Sequence, residues 1–314
     1  MKRFCENPHI IIEERKAESS MKSIVSKRWL LARLYEPDII IADCRSLLGQ
    51  AGAGRTQFNE DHIPGAIHFD LEEDLTAPLG EHGGRHPLPD VDTLAARLSR
   101  AGINAASRII AYDDQGGMMA SRFWWLLRYL GHEQVYVLDE GYSAWKEAKF
   151  PVTADQPVRI PSTFVANVQS QLATDIQEVR EISLQLSQTE LNGKGSEGAP
   201  RNPLLLIDSR EPRRYAGLEE PIDTKAGHIP GAVNYFWKEV LDEKDSFKNA
   251  KQLQKHFADL DPNAEIIVYC GSGVSACPNV LALNEAGFSK VRLYPGSWSD
   301  WISYEENPVA TGEE

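Results

Sequence analysis

The sequence predicts an α/β protein built from two similar domains, each a parallel β-sheet with helices on both faces. Three observations predict it. The chain has 314 residues, about two domains' worth. Short β-branched runs alternate with longer helical patterns, as in sheets that bury both faces. And a set of short motifs occurs twice, in the same order, half a chain apart.

The repeat is read directly. Asp43-Cys44-Arg45 reappears as Asp208-Ser209-Arg210, and His62-Ile63-Pro64-Gly65-Ala66 as His228-Ile229-Pro230-Gly231-Ala232. Ile109 to Tyr112 returns as Ile266 to Tyr269, Gly131 with Val135 as Gly287 with Val291, and Gly141 to Trp145 as Gly296 to Trp301. Strands are predicted at Ile39–Ala42, Arg108–Tyr112 and Val135–Leu138, with helices at Leu94–Ala101 and Ser121–Leu130. The second half gives strands at Leu204–Asp208, Glu265–Tyr269 and Arg292–Tyr294. Its helices fall near Ile176–Leu186, Ala250–Ala258 and Pro278–Ala286. Residues 1–20 read as a disordered extension before a first domain at 21–150. The proline-bearing stretch 151–165 reads as a linker, and 166–314 as a second domain. Ser187 to Pro203, with Gly193, Gly195 and Gly198, reads as a surface loop. The adjacent Trp124 and Trp125 cannot both face one core, so one is expected to touch the other domain.

Composition removes several function classes. The 33 basic and 46 acidic residues give a net charge of -13, which argues against nucleic acid but leaves room for a local positive pocket. No apolar run approaches the roughly 20 residues of a membrane span. The four cysteines, Cys5, Cys44, Cys270 and Cys277, sit in a long chain with no secretory signal, so free thiols in a reducing cytoplasm are expected. No His/Cys cluster has zinc spacing, and no metal or organic cofactor is implied.

One loop carries chemistry. The strand ending at Tyr269 runs into Cys270-Gly271-Ser272-Gly273-Val274-Ser275-Ala276-Cys277, then a helix. Ligands of open parallel sheets bind beyond strand carboxyl ends, and Cys270 is the first residue there. Two glycines let the backbone curl its N–H groups inward, a nest that attracts anions and is expected to favour the thiolate. The repeat places Asp113 where Cys270 stands, so one half looks reactive and the other silent. Ser275 is expected to cap the following helix. Cys277 reads as a packed small residue rather than a redox partner. A phosphatase-type C-x5-R loop is excluded, because the sixth residue after Cys270 is Ala276.

These motifs resemble tandem rhodanese-domain sulfurtransferases over about residues 21–311. The Cys-Gly-Ser-Gly-Val-Ser-Ala loop is similar to that of the 3-mercaptopyruvate sulfurtransferases, whereas thiosulfate-preferring members carry Arg-Lys at Gly271-Ser272. The resemblance implies a silent first domain and a catalytic second one. It implies transfer of a sulfane sulfur from a small anionic donor to cyanide, a thiol or a thioredoxin-like acceptor through a Cys270 persulfide. The alternatives are a thiosulfate sulfurtransferase or a sulfur-relay protein. Arg214 is expected to hold the donor's anionic end, with Arg210 a further candidate, although Asp-x-Arg pairs at strand ends commonly hold loops. Family members carry a second arginine in a Glu-Pro-Arg segment. This chain has Glu220-Pro221-Ile222, with Lys225 the nearest replacement. His62 is expected to approach the loop from the first domain and relay a proton. Its assisting aspartate in the family corresponds to Ala53. Its repeat partner His228 reads as structural.

Overall fold

The computed structural model describes residues 23–193 and 204–312; Cys5, the extension and most of the glycine-bearing stretch before Pro203 lie outside them. The first half contains β1 Ile24–Val25, α1 Lys27–Leu31, β2 Ile39–Asp43, α2 Ala53–Glu60, β3 Ile67–His68, α3 Leu71–Asp74, α4 Val91–Arg100, β4 Arg108–Tyr112, α5 Met118–Tyr129, β5 Val135–Leu138 and α6 Gly141–Glu147. The second contains α7 Ile176–Gly193, β6 Leu204–Asp208, α8 Pro212–Tyr215, β7 Ala232–Asn234, α9 Ala250–His256, β8 Glu265–Tyr269, α10 Cys277–Ala286, β9 Val291–Leu293 and α11 Ser297–Trp301.

The β-branched runs form two all-parallel sheets, ordered β1-β5-β4-β2-β3 and β7-β6-β8-β9. The register repeats: Asp43 sits beside Tyr112 as Asp208 sits beside Tyr269. In the second half a single parallel bridge, Ala173 to Leu293, takes the place of β1. Every residue of β2 is buried, as a strand covered on both faces requires. α7 continues to Gly193, so the helix extends into the stretch expected to be a loop from Ser187. Its eighteen-residue span follows the apolar spacing of Val179, Ile182 and Leu186, which are all buried.

The halves share a core. α5 and α10, each following the loop at the end of its central strand, pack together, and both are buried nearly all round. One apolar cluster joins Ala111, Trp124 and Trp125 to Val268, Cys277 and Leu281. Both tryptophans lie in this joint core, with Trp125 stacked on Tyr129 at 5.1 Å between centroids. Outer faces form separate clusters, around Trp145 in one half and Trp298 and Trp301 in the other. From Pro151 the chain runs extended against the first half, with Ser162, Asn167 and Gln169 N–H groups bonded to Ser99, Leu130 and Tyr129 carbonyls. No helix among the described residues is long and apolar enough to cross a membrane.

Candidate active site

β8 delivers the chain to Cys270, whose backbone is gripped by the start of α11. The Cys270 N–H donates to Ser297 Oγ at 3.1 Å, and its carbonyl accepts the Trp298 N–H at 3.0 Å. The Gly271 carbonyl accepts Ser299 N–H at 2.9 Å. The chain then doubles back at Gly273, whose left-handed φ of 77° turns its N–H onto Cys270 Sγ at 3.2 Å. A Cβ at 273 would stand 2.2 Å from the Pro295 carbonyl oxygen, so the turn requires glycine. A sulfur anion at Cys270 therefore meets a fixed N–H donor. Val274 is buried behind the loop, and the thiol itself is 1% exposed.

The first half supplies side chains to this loop. Residues 82–86 cross onto the second half. Gly83 N–H donates to Asp300 Oδ1 at 2.7 Å, Arg85 N–H to Ser299 Oγ at 3.0 Å, and the His82 ring stacks on Tyr304 at 3.9 Å. Gly84 makes the crossing possible: its φ is 79°, and a Cβ there would lie 2.3 Å from the Gly296 carbonyl oxygen. The crossing brings His86 Nδ1 to 2.7 Å from Ser272 Oγ, while Nε2 faces Glu72 Oε1 at 3.1 Å. The carboxylate holds the proton on Nε2, leaving Nδ1 to accept the Ser272 hydroxyl. Burial lowers the His86 pKa, against the opposing pull of Glu72.

Arg122, on α5, enters from beneath. Its guanidinium is fully buried and donates to the Gly273 and His86 carbonyls, each at 3.2 Å. Among the described residues no carboxylate pairs with it, and burial lowers its pKa while the two thiols nearby oppose that shift. A positive charge is thus built in under the cysteine loop by the half that lacks the cysteine.

Arg214 lies in the short α8, and its terminal nitrogens stand 3.7 and 3.8 Å from the position a Cβ would take on Gly271. Glu220 grips it at 2.6 Å and Asp223 at 3.1 Å. Asp223 also pairs with Arg85. Ile222 is 58% exposed and offers no cation, and Lys225 gives its carbonyl to Trp298 Nε1–H.

Several expected site residues fall elsewhere. Arg210 is fully engaged by Asp208, the Gly227 carbonyl and Glu220, and it lies over the Trp298 ring. Arg45 makes the same carboxylate pair and covers Tyr142 in the other half, so Arg210 belongs to the shared architecture and reaches donor space only through Glu220. His62 is corrected likewise. Its ring is stacked on Phe58 at 3.9 Å, and its nitrogens bond the Phe58 and Asp155 carbonyls. His228 repeats this arrangement on Tyr215. Ala53 starts α2, whereas Glu72 is the carboxylate beside His86, the histidine that meets the cysteine loop. Ser275 does not cap α10: Ala276 holds the cap position, without a side-chain bond. Cys277 is fully buried with its thiol on the Gly273 carbonyl, and burial pushes its pKa up to about 12, which makes it a packed, unreactive thiol. Sequence reasoning missed Glu72, Arg85, His86 and Arg122. The available signal was His82-Gly83-Gly84-Arg85-His86, a chemistry-rich segment with no match in the second half.

The model of the rhodanese-like domain matches residues 26–148 and 188–304. The chain is 40% identical over 299 residues to a Pseudomonas aeruginosa protein named "Probable 3-mercaptopyruvate sulfurtransferase", covering 94% of this chain and all of the relative. It is 30% identical to the human 3-mercaptopyruvate sulfurtransferase, over 89% of this chain and 92% of that one. The crystal structure of SseA from Escherichia coli, described as a 3-mercaptopyruvate sulfotransferase, superposes with a TM-score of 0.72 at 29% identity. That match covers 89% of this chain and 100% of SseA.

Proposed function

The chain belongs to the rhodanese family of sulfurtransferases, and from that premise we propose that Cys270 carries a sulfur atom from 3-mercaptopyruvate to a thiophilic acceptor. The observation that carries this reading is the pairing at one loop: Cys270 Sγ on the Gly273 N–H, and Ser272 on His86 of the opposite half.

The mechanism follows from those groups. The donor's carboxylate lies against the guanidinium side of the loop, where Arg214, held by Glu220 and Asp223 through Nε and one terminal nitrogen, supplies positive charge. Ser272 Oγ, with its own proton directed at His86 Nδ1, takes the proton of the donor sulfur only as the S–S bond forms and the carbon–sulfur bond breaks, and His86 ends as the imidazolium. Cys270 thiolate attacks the donor sulfur. The S–S bond forms, the carbon–sulfur bond breaks, and its electron pair leaves as the enolate of pyruvate. That enolate takes the proton back from the imidazolium. Cys270 then holds a persulfide, whose negative charge rests on the Gly273 N–H and over the buried Arg122. Cyanide or a thiol attacks the outer sulfur and restores the thiolate. The second half is the catalytic domain in this reading, and the first walls and equips the site. A reducing compartment such as the cytoplasm suits a cycle that depends on a free thiol.

Initial rates with 3-mercaptopyruvate and with thiosulfate, cyanide as acceptor, test it on the wild type and Cys270→Ser. Mercaptopyruvate is expected to turn over faster, and the variant to lose about 10³-fold or more, as when a covalent nucleophile is removed. Faster thiosulfate turnover would reassign the donor. Equal rates in the variant would sink the persulfide mechanism.

A further inference from the structure

We propose that Asp223 sets the donor preference of the site: its fixed negative charge admits a donor with one negative charge and disfavours a donor with two. The proposal rests on the sulfurtransferase reading and names the charge class of the donor.

The local charge balance carries it. The ionised side chains Arg85, Arg214, Glu220 and Asp223 meet beside Gly271. Glu220 takes Arg214 through Nε and one terminal nitrogen, and Asp223 divides its two oxygens between Arg214 and Arg85. Two cations therefore face two carboxylates, and that side of the loop is neutral before any donor arrives. Behind it, Arg210 is balanced by Asp208. Arg122 lies under the loop, on the Gly273 carbonyl, where its charge serves the sulfur anion of Cys270. 3-Mercaptopyruvate enters as a monoanion, through its carboxylate. Thiosulfate enters as a dianion, and its second charge meets Asp223 rather than a spare cation. Discrimination then comes from repelling the wrong donor as well as from holding the right one.

Asp223 is built into this position. The Ile222 and Asp223 N–H groups both donate to Glu220 Oε1 at 3.1 Å, closing a turn that aims the aspartate at the arginines. The Asp223 and Glu220 side chains are each 4% exposed, so salt and solvent screen them weakly. The guanidiniums that Asp223 holds border the space over Gly271: a Cβ there would stand 2.9 Å from Arg85 and 3.7 Å from Arg214. An anion in that space is one guanidinium away from the Asp223 carboxylate. At that separation, about 6 Å, one unit of charge changes affinity about 10-fold or more.

The experiment measures kcat/KM for thiosulfate and for 3-mercaptopyruvate, cyanide as acceptor, in wild type, Asp223→Asn and Asp223→Glu. Asparagine removes the charge and keeps the shape, so the ratio of thiosulfate to mercaptopyruvate is expected to rise about 10-fold. Glutamate keeps the charge and is expected to leave the ratio within about threefold of wild type. A purely structural role would lower both donors alike. An asparagine ratio within about threefold of wild type therefore overturns the proposal, and so does a glutamate ratio equal to that of asparagine. Calorimetric binding of thiosulfate and of pyruvate to Cys270→Ser, with and without Asp223→Asn, repeats the test without sulfur transfer. A gain in thiosulfate affinity about 10-fold larger than any gain for pyruvate supports the charge rule even if Cys270 carries no persulfide, and equal changes overturn it.

Discussion

The two halves end their central strands in equivalent loops, and each loop answers the same problem differently. In the first, Asp113 follows Tyr112 and bends its own carboxylate back onto the N–H groups of Gln115, Gly117, Met119 and Ala120, at 2.7 to 2.9 Å. The nest is filled by the chain itself, and burial raises the Asp113 pKa despite those four bonds. In the second, Cys270 takes that place, and its Sγ accepts the Gly273 N–H at 3.2 Å. What each loop receives from the opposite half differs as well. The first is stoppered by apolar groups: a Cβ on Gly116 would meet Leu241, and one on Gly117 would meet Phe247. The second receives Arg85, His86 and Arg122. Duplication supplied one scaffold twice; in the proposed reading the first half serves the second as a donor of charge and a proton relay.

Beyond Cys270 itself, the relay should be the sharpest test of that division. His86→Ala is expected to lower kcat with 3-mercaptopyruvate about 10²-fold or more, the usual worth of general acid–base catalysis. The native enzyme should also show where the ring titrates. Burial holds the His86 pKa below its ordinary value of about 6.5, so the imidazole is neutral at pH 7 and able to accept a proton. A decline below about pH 6.5, as the protonated ring loses its acceptor, should be present in the wild-type profile and absent from that of His86→Ala. Acid limbs of the same shape in both proteins would remove the histidine from the mechanism.

The sequence made the scaffold legible because strands here are uninterrupted β-branched runs and because every architectural motif is written twice. It made Cys270 legible for the opposite reason: there the repeat breaks. The misreading of His62 and Arg210 follows from the same logic. Both recur in the other half, as His228 and Arg45, and both do the same packing work in each. The residues that meet the cysteine loop, His86 and Arg85, lie in a segment without a repeat partner. Their role depends on a chain path across the interface, set by Gly84 against Gly296, which no local pattern encodes.

A smaller effect is expected from emptying the first nest. Asp113→Ala leaves four buried N–H groups facing an apolar stopper, and should cost about 3 kcal/mol of stability in urea unfolding. The folded variant should keep its kcat/KM within about threefold, because no atom of that loop meets the donor. Unchanged stability would mean that the filled nest is incidental, and the contrast between the loops would lose its physical basis.

The finest difference lies one residue beyond the repeated glycine. Matching motifs by sequence pairs Gly141 with Gly296, but the backbone pairs Gly141 with Ser297. Tyr142 N–H bonds the Asp113 carbonyl as Trp298 N–H bonds that of Cys270, and both preceding residues are left-handed, at φ 70° and 58°. A serine in that conformation costs about 1 kcal/mol relative to glycine. Its hydroxyl offsets the cost by accepting the Cys270 N–H and donating to the Tyr294 carbonyl at 2.9 Å. Ser297→Gly should therefore change stability by less than about 1 kcal/mol, strain relieved against bonds lost, while lowering kcat a few-fold by loosening the nucleophile. Gly141→Ser gains strain and brings a Cβ to 3.1 Å from the Asp113 carbonyl oxygen, so it should destabilise by about 1 kcal/mol and leave kcat alone. Denaturation midpoints and initial rates for the two exchanges decide the point. If they prove equal in both readouts, the serine is neutral drift rather than a strained residue kept because it positions Cys270.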